Sequence, residues 1–431
     1  MMQSKKTKFG FSSLSLAISF ALAGTVVSSQ AFAADDDATA KENVEKIAVV
    51  GSRSAPRSVG DSPVPVDIIS SDDLKKNGST DMIDMLVTSV PSFNSRAQPI
   101  SDAATLVRPV NLRGLPSDST LILVNGKRRH RASVIAFQGG GINDGAQGPD
   151  ISVIPGVALK QVEVLRDGAA AQYGSDAIAG VMNFALKDAS EGGSITVSQG
   201  EYYEGDGAAT TIDGNIGLPL TDDGFVNISA QYKTADATSR SVQRPDAAAI
   251  AAAGNEFILD PAQTWGNPEI EDDFTVFVNS GFDINDNTHL YAFGNVSSRE
   301  ATGGFYYRNP HNRGNVYSVD GGETLLVGDV GLAENGVASC SWVGNVPANV
   351  GNVLDTPEYQ AMVADPNCFS MNQIRPGGYT PQFTGKIEDM SFFAGIKGSF
   401  GEWMYDASAG TGSNKSTFGL KNSLNPSMGL D

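Results

Sequence analysis

The sequence predicts an α+β domain that acts as a plug, followed by antiparallel strands of a transmembrane β-barrel. The first indication is the run 162–187, which reads as a strand, a turn at Asp167-Gly168, an Ala-rich helical turn, a corner marked by glycines and a second strand. The second is a change after Lys187 to segments in which apolar and polar residues alternate. The third is the alternation of short and long connections between those segments, which is how outer-membrane barrels are built.

The charge of the chain argues against nucleic acid as a partner. Its 431 residues carry a formal net charge of −19, so there is no general basic field to hold phosphate groups. The exception is the cluster Lys127-Arg128-Arg129-His130-Arg131, which we interpret as a solvated or internally paired patch rather than a ligand site. The 48 glycines favour turns and β-structure over a helical bundle.

Residues 1–33 have the order of a cleaved secretory signal peptide. Basic residues precede an apolar stretch over 9–27, and the small-residue site Ala31-Phe32-Ala33 follows. A membrane anchor is the alternative, but the serines and the cleavage site count against it. After this segment no run of about 18 apolar residues occurs, which is the length that a membrane-spanning helix needs. The exported protein is therefore expected in the periplasm, outside the cell or in the outer membrane as a β-barrel.

Residues 34–56 are predicted to be a mobile periplasmic segment, because they are acidic and polar at first and linker-like at the end. A short strand in this segment has no local partner, so it either docks onto its own domain or is offered to the sheet edge of another protein. Its residues are Glu45, Lys46, Ile47, Ala48, Val49, Val50 and Gly51.

Residues 57–187 are predicted to form one mixed domain. A strand over 64–69 leads to a helix with a serine cap, and a second helix begins with Ser79 or Thr80 as its N-cap. The dipeptide Asn125-Gly126 is typical of a tight turn. Further strands are predicted over 110–115 and 120–124, and a glycine-rich loop over 132–150.

About seven strands are predicted in residues 188–431, each with one apolar face and one polar or small face. The pattern is typical of a membrane barrel wall, although a soluble sandwich, which also buries one face, shows the same period. The connections favour the barrel, because several turns are short whereas the loops at about 236–272 and 299–388 are long. An odd number of strands leaves an open edge, so the barrel is expected to be incomplete in this chain. The predicted strand segments are 194–203, 211–218, 225–233, 274–282, 288–297, 390–399 and 403–410.

The chain has two cysteines, Cys340 and Cys368, and both fall in the second long loop. In an oxidising compartment they can pair as a disulfide, and a reduced pair with no role is the alternative. Their spacing is unlike that of a zinc motif, and we expect neither a metal site nor a cofactor.

Four segments of the plug region carry a family resemblance: Ile47-Ala48-Val49-Val50-Gly51; Asn111-Leu112-Arg113-Gly114-Leu115; Ile122-Leu123-Val124-Asn125-Gly126-Lys127-Arg128-Arg129; and the run 162–187. Through them the chain resembles the N-terminal part of TonB-dependent outer-membrane receptors, that is, their plug and the start of their barrel, and the first segment is similar to the TonB box. That resemblance implies a plug, here about 57–187, inside a barrel of 22 strands, located in the outer membrane of a Gram-negative cell and in contact with its lipid.

The resemblance also implies a transport function. An extracellular small molecule such as an iron–siderophore complex, cobalamin, a sugar or a peptide would bind from outside, and the sequence does not select among these cargoes. The box at 45–51 would then pair with a TonB-type energy-coupling protein of the inner membrane by strand addition, and pulling would remodel the plug.

Two sets of plug residues are assigned roles on this basis. Arg113 and Arg166 lie in family motifs, and we expect them to hold the plug in place by pairing with carboxylates inside the barrel. The loops at about 95–109 and 132–148 are expected to face outward. Their candidate ligand contacts are Arg96, Gln98, Gln138 and Asn143.

The chain is not expected to be an enzyme, because it contains no G-x-S-x-G, H-E-x-x-H, C-x-x-C or P-loop motif. Two competing hypotheses stay open beside a working receptor. One is a truncated, non-functional receptor fragment, and the second is a small outer-membrane barrel that acts as an adhesin or porin. Eight closed strands would favour the small barrel, whereas an open seven-stranded sheet favours a severed receptor.

Overall fold

The structure is a computed structural model, and several sequence predictions fall on residues that it does not describe. They include the signal peptide, Arg96, Gln138, and every residue of the predicted box except Ile47 and Ala48. No helix in the described part of the chain is both long and apolar enough to cross a bilayer. The described residues are 47–48, 57–58, 66–76, 78–95, 98–100, 102–136, 141–166 and 170–425.

The plug consists of short strands and helices joined by several 3₁₀ turns. In chain order its elements are β1 (Ile47–Ala48), β2 (Arg57–Ser58), β3 (Val66–Ser70), α1 (Ser71–Lys75), α2 (Met82–Ser89), β4 (Phe93–Asn94), β5 (Asn111–Leu112), β6 (Thr120–Val124), β7 (Lys127–Arg128), β8 (Leu159–Leu165), α3 (Ala170–Tyr173) and β9 (Gly180–Leu186). The 3₁₀ turns span Asp102–Thr105, Ser117–Ser119, Gly141–Asn143, Gly156–Ala158 and Ser175–Ala177.

A five-stranded sheet in the order β3-β8-β9-β6-β7 forms the centre of the plug. Strands β6 and β9 are parallel, and the other neighbours are antiparallel. All five residues of β6 are buried, because apolar clusters cover both faces of the sheet. One face packs on α1 and α2 through residues such as Leu74 and Leu86. At its end β6 turns into β7 through Asn125 and Gly126, whose φ angles of 48° and 75° are those that a two-residue hairpin turn requires.

The N-cap of α2 differs from the predicted one. Asp81 caps the helix by accepting hydrogen bonds from the backbone N–H groups of Ile83 and Asp84, at 3.0 and 3.2 Å. Ser79, one of the two predicted caps, instead accepts from Asp81 N at 3.1 Å. The Asp81 carboxylate suits the N-cap position because it caps the helix and also pairs with Arg108.

Residues after the plug form a second, larger sheet and two long loops with structure of their own. Their elements are β10 (Gly193–Gly200), β11 (Ala209–Pro219), β12 (Gly224–Ala235), α4 (Pro245–Ala252), β13 (Glu269–Asn285), β14 (Thr288–Gly304), β15 (Val327–Asp329), α5 (Val330–Asn335), α6 (Pro357–Val363), β16 (Cys368–Ser370), β17 (Gln382–Phe400) and β18 (Trp403–Lys421).

Seven of these strands, in the described part of the chain, make one antiparallel sheet in the order β10-β11-β12-β13-β14-β17-β18, which we call the wall. Each wall strand pairs with its neighbour in sequence among the seven. Three tight turns close one end of the wall, the short-turn end. The long loops 236–268 and 305–381 leave the other end, the long-loop end.

The wall exposes its apolar face and buries its polar face, which is the reverse of a soluble sandwich. On β13 the inward residues Thr275 and Asn279 are 3% and 8% exposed, whereas the outward residues Phe274 and Val278 are 45% and 38% exposed. An apolar face turned away from a polar interior is the arrangement of a membrane barrel wall. Other inward polar residues are Thr211, Asn227, Ser229, Asn295, Ser297, Asp389 and Ser391, and other outward apolar residues are Ile195, Val197, Ile212, Leu290, Val296, Met390 and Phe392.

The wall strands extend further toward the long-loop end than the sequence predicts. On that half the outward positions carry charged residues that pair across strands, with Lys386 and Glu300 at 2.9 Å and Lys415 and Glu388 at 3.3 Å. The inward positions on the same half include Ala301 and Ile387, which are buried against the plug. The apolar residues thus change from the outward to the inward face along the strand, which interrupts the regular alternation in the sequence while the backbone pairing continues.

The second long loop has its own small core. Strands β15 and β16 pair, helices α5 and α6 lie beside them, and Cys340 and Cys368 form a disulfide with a Cα–Cα distance of 5.2 Å. The buried residues of this core include Val346, Tyr359 and Met362.

The plug lies against the polar face of the wall at distances that leave no room for larger side chains. A Cβ atom added at Gly412 of β18 would lie 2.2 Å from Nδ1 and 2.6 Å from Cγ of His130, whereas one added at Gly214 of β11 meets nothing within 4 Å.

We therefore expect Gly412→Ala to destabilise the protein by about 1–3 kcal/mol through overpacking. The free energy of unfolding of the purified protein, measured with denaturant, checks this expectation. Gly214→Ala is the matched control, since it adds the same methyl group to open space. Equal effects of the two substitutions would contradict the close approach of plug and wall.

Candidate functional site

The contact between plug and wall is centred on a buried ion pair between Arg129, which follows β7, and Asp389 of β17. Both side chains are only 2% exposed. Arg129 Nη1 also donates to Asn295 Oδ1 at 2.7 Å and to Ser391 Oγ at 2.8 Å. One plug arginine thus binds side chains from two adjacent wall strands.

Further hydrogen bonds complete the coordination of the Asp389 carboxylate. It accepts from Asn295 Nδ2 at Oδ1 and from Asn414 Nδ2 at Oδ2, each at 2.9 Å. His130 Nε2 lies 2.9 Å from Asp389 Oδ2. We call these residues, together with Arg129 and Ser391, the Arg129 cluster. A buried ion pair is tolerated only when both partners are hydrogen-bonded in this way.

Lys127 makes a second charged contact with the wall, closer to the short-turn end. Its Nζ lies 2.8 Å from Asp406 Oδ2 of β18, and Tyr291 OH donates to the other oxygen of Asp406 at 2.6 Å. The neighbouring Arg128 points back into the plug and pairs with Asp176. The basic cluster is therefore internally paired, one of the two interpretations that the sequence favoured. Lys127 and Arg129 face the wall, whereas Arg128 between them faces the plug, as expected along a strand.

Arg299 of β14 reaches from the wall into the plug. Its guanidinium donates to Ser152 Oγ at 2.5 Å, to the carbonyl oxygen of Leu106 at 2.7 Å and to Asp150 Oδ2 at 3.4 Å. Beside it Leu106 packs with plug and wall residues in one apolar cluster. The plug segments around 106 and 150 are thereby held at the long-loop half of the wall.

A fourth charged group joins α2 to the wall. Asp81 pairs with Arg108 of the plug, and its Oδ2 lies 3.8 Å from Lys233 Nζ of β12. Burial alone would raise the pKa of Asp81, but the positive charges of Arg108 and Lys233 outweigh it and lower that pKa to about 2. Asp84 takes a second hydrogen bond from Arg108, at 3.0 Å.

A cavity of about 510 Å³ lies beside this group, between the plug and the long-loop half of the wall. Its lining combines charged and aromatic groups from both sides. Among them are Asp81, Arg108, Glu201, Tyr202, Lys233 and Arg299. In the described residues no cluster of three or more histidine, cysteine or acidic side chains could hold a metal ion.

The expected pairing of Arg113 and Arg166 with carboxylates inside the barrel stays a prediction for Arg113, whereas the acid that the structure places beside Arg166 belongs to the plug. Arg166 pairs with Asp67 of β3, which belongs to the plug itself. Arg113 Nη1 donates to the Arg166 carbonyl oxygen at 2.6 Å. These contacts hold one edge of the plug sheet together. Arg129 makes the kind of contact that was predicted for the two arginines, because it pairs with a carboxylate of the wall. Sequence reasoning missed that role because Asp389 precedes the predicted strand 390–399 and so had no assigned face.

Asn143 and Gln98, two of the predicted ligand contacts, have buried side chains in the structure. Asn143 is 4% exposed and exchanges hydrogen bonds of 2.9 and 3.0 Å with the side chain of Asn111. Its Oδ1 also accepts from Ser117 N at 3.0 Å, so the amide holds the glycine-rich loop together. Gln98 is 8% exposed, and its carbonyl oxygen accepts from Thr105 Oγ1.

The described part of the predicted box is a strand that pairs within the chain. In the two-stranded sheet of β1 and β2, Ile47 lies opposite Ser58 and Ala48 opposite Arg57. The sequence left open whether this strand docks onto its own chain or onto another protein, and the structure gives docking onto its own chain.

In this structure the plug covers the polar face of the wall, and the other face of the wall is apolar. This arrangement defines the class of plugged outer-membrane β-barrel proteins. The family model of the TonB-dependent Receptor Plug Domain matches residues 58–181. Residues 58–181 are thus similar to the plug domain of TonB-dependent receptors, as the sequence motifs indicated, and the predicted fold class, a plug followed by antiparallel barrel strands, is confirmed.

Known relatives agree with this assignment. A ferric enterobactin receptor of Pseudomonas aeruginosa is 28% identical over 160 residues, which are 36% of this chain and 21% of that receptor. The ferric enterobactin receptor PirA of the same organism is 30% identical over 160 residues, with the same 36% and 21% coverage. The chain spans about a fifth of the length of these relatives.

The fold is also that of a solved receptor structure. A ferric enterobactin receptor from Pseudomonas aeruginosa matches with a TM-score of 0.51 at 15% identity, over 83% of this chain and 41% of that chain. A match over so much of the chain includes wall strands as well as the plug.

Breaking the ion pair between Arg129 and Asp389 should destabilise the folded protein. We expect Arg129→Ala to lower the free energy of unfolding by about 3–5 kcal/mol, because it leaves the buried Asp389 carboxylate without its counter-charge. Denaturant unfolding of the purified protein measures the loss. Lys415→Ala is the matched control, since Lys415 pairs with Glu388 on the exposed face of the same strands. A loss no larger than that of the control would show that the plug does not depend on this pair.

The low pKa of Asp81 predicts a pH dependence of stability. A carboxyl group whose pKa is lowered in the folded state stabilises the fold above its ordinary value of 3.8, and the stabilisation disappears as the pH falls toward about 2. Wild-type protein should therefore lose more unfolding free energy across that interval than Asp81→Asn. Asp84→Asn, which keeps the wall contact of Asp81, should titrate like wild type; identical curves for all three proteins would contradict the argument.

Proposed function

We propose that the protein is a TonB-dependent receptor that takes up a scarce organic solute, most simply an iron–siderophore complex, across the outer membrane. The observation that carries the proposal is the Arg129 cluster, which holds a folded plug against the polar face of the wall. A plug held in this way blocks free diffusion, so transport requires a change in the plug that is driven from outside the barrel.

Energy would enter at β1. A TonB-type coupling protein can add a strand to Ile47–Ala48, and this type of pairing relies on main-chain hydrogen bonds with little demand on side chains. In the structure β2 occupies one edge of β1. The coupling protein would therefore replace β2 or take the opposite edge.

The sheet order of the plug sets where a pull would act. Strand β3 follows β1 and β2 in the chain and is an edge strand that pairs only with β8 among the described strands. The Asp67–Arg166 pair joins β3 to the end of β8. The Arg129 cluster lies at the opposite edge, next to β7. A pull from the periplasm would thus separate β3 first and leave the contact between β7 and the wall in place.

The relatives support iron–siderophore complexes as the cargo class, since two of them are named as ferric enterobactin receptors. The cavity beside Asp81 and Arg108 offers polar space between plug and wall at the long-loop half, where a solute from outside would arrive.

Transport should depend on the box strand. In cells that carry the gene at its own locus, Ile47→Pro should abolish uptake of radiolabelled ferric enterobactin, because proline removes an N–H donor and disfavours pairing. Ile47→Val is the matched control and should transport like wild type, since a β-branched residue keeps the strand. Uptake that survives Ile47→Pro would refute energy coupling through this segment.

A further inference from the structure

The hydrogen bonds between plug and wall are short on the side of the plug that carries β7. There Arg129 donates to side chains of β14 and β17 at 2.7 and 2.8 Å. Ser133, further along the chain, donates from its N–H and its hydroxyl to Asn414 Oδ1 of β18 at 2.8 Å, and its Oγ lies 2.5 Å from Ser416 Oγ. This side of the plug is thus closely tied to β14, β17 and β18.

The contacts nearer the β10 edge of the wall, where α2 begins, are longer. Thr211 Oγ1 of β11 donates to Thr80 Oγ1 at 3.2 Å, and Lys233 Nζ of β12 lies 3.8 Å from Asp81 Oδ2. These four residues also line the cavity of about 510 Å³. An ion pair at this distance beside an open cavity holds its partners weakly, so α2 is loosely joined to β11 and β12.

Polar side chains on the inner face of β11 and β12 are hydrogen-bonded to one another. Gln231 Nε2 donates to Asp213 Oδ1 at 2.7 Å. Asn215 Nδ2 donates to Asn227 Oδ1 at 2.6 Å and to Ser229 Oγ at 2.9 Å. These bonds survive when the plug moves away, whereas the wall side chains of the Arg129 cluster lose a partner when it moves. Because a buried polar group is costly mainly when it loses its partner, separation at β11 and β12 costs less.

The plug residues beside these two strands carry no polar side chain. The 3₁₀ turn Gly156–Ala158 lies next to β11 and β12, and its residues are glycine, valine and alanine. Side-chain pairing of the kind that fixes β7 therefore cannot form at this turn.

The order of the chain brings a periplasmic pull to α2 early. Helices α1 and α2 follow β3 in the sequence, whereas β6 and β7 come after both. Tension that enters at β1 and has separated β3 therefore reaches α2 before it reaches β7. The loosely joined side of the plug is also the side that the pull reaches first.

We propose that the transported solute passes between α2 and the wall strands β11 and β12, while β7 stays bound to β14, β17 and β18. The inference rests on the proposed function and specifies its route. The cavity is the outer end of this route, and the polar side chains of β11 and β12 line its continuation toward the short-turn end. Amides and hydroxyls there can exchange their mutual hydrogen bonds for bonds to water or to a polar solute.

Thiol reactivity at buried wall positions tests the difference between the two sides without any solute. Thr211 on the inner face of β11 is 1% exposed, and Ser297 on the inner face of β14 is 3% exposed. In urea well below the unfolding midpoint of each purified variant, we expect Thr211→Cys to react with a small aromatic disulfide reagent about tenfold faster than Ser297→Cys, or more. Cys340 and Cys368 form a disulfide and add no background reaction.

Disulfides across the interface test the route itself. Thr80→Cys with Thr211→Cys would join α2 to β11, and Ser133→Cys with Ser416→Cys would join the β7 side to β18. Each pair replaces two hydroxyl oxygens that lie within 3.2 Å of each other. Oxidation of the first pair should abolish uptake of radiolabelled ferric enterobactin by cells, and reduction should restore it.

The second pair is the matched control and should transport like wild type in both states. Wild-type cells under the same reductant control for the native disulfide. Equal or reversed thiol reactivity overturns the proposal. So does uptake that survives the disulfide between positions 80 and 211, or that stops with the disulfide between positions 133 and 416.

The route and the proposed function fail separately. Uptake that neither disulfide blocks but that still requires Ile47 leaves energy-coupled transport standing and rejects the route. If wild-type cells import no ferric enterobactin, the proposed cargo fails, and the thiol reactivity alone decides whether the plug opens at α2.

Discussion

The polar inner face of the wall is the constraint on which the rest of the structure depends. Strands whose apolar side chains point outward must place amides, hydroxyls and charges inward, and Asn279, Asn295 and Asp389 are the clearest examples. Such groups are costly to bury unless each has a partner. The plug supplies those partners through Asn125, Arg129 and His130. The interface therefore combines matched polar contacts with apolar contacts, in which Phe277 and Phe293 of the wall join the apolar core of the plug.

This kind of interface suits a plug that must be held in one position against the wall and must also be able to change its conformation. A large apolar contact would gain stability from any arrangement that buries its area, whereas a buried ion pair is favourable only in one geometry. Arg129 and Asp389 fix the position of β7, and Arg299 fixes the loops around residues 106 and 150. Strand β3 is held by one neighbour and one partly exposed ion pair, so the stability of the plug differs between its two edges.

The arginines illustrate how far sequence reasoning could go. The motifs around Arg113 and Arg166 indicated a resemblance to one receptor family and placed both residues in the plug. They did not show that Asp67, a residue of the plug itself, is the partner of Arg166. The partner of a charge is set by tertiary neighbours that are distant in sequence, and Arg129 and Asp389 are separated by 260 residues. A single sequence offers no local signal for such a pair.

The sequence by itself determined the plug, the seven wall strands and which face of each strand is apolar, because these follow from the local periods of side-chain chemistry and from turn dipeptides such as Asn125-Gly126. Only the tertiary structure decided that the apolar face is the exposed one, that Asn143 is buried, and that Arg129 pairs with Asp389. Those outcomes depend on what lies opposite each side chain, and two segments far apart in the chain come to face each other only when the whole molecule folds.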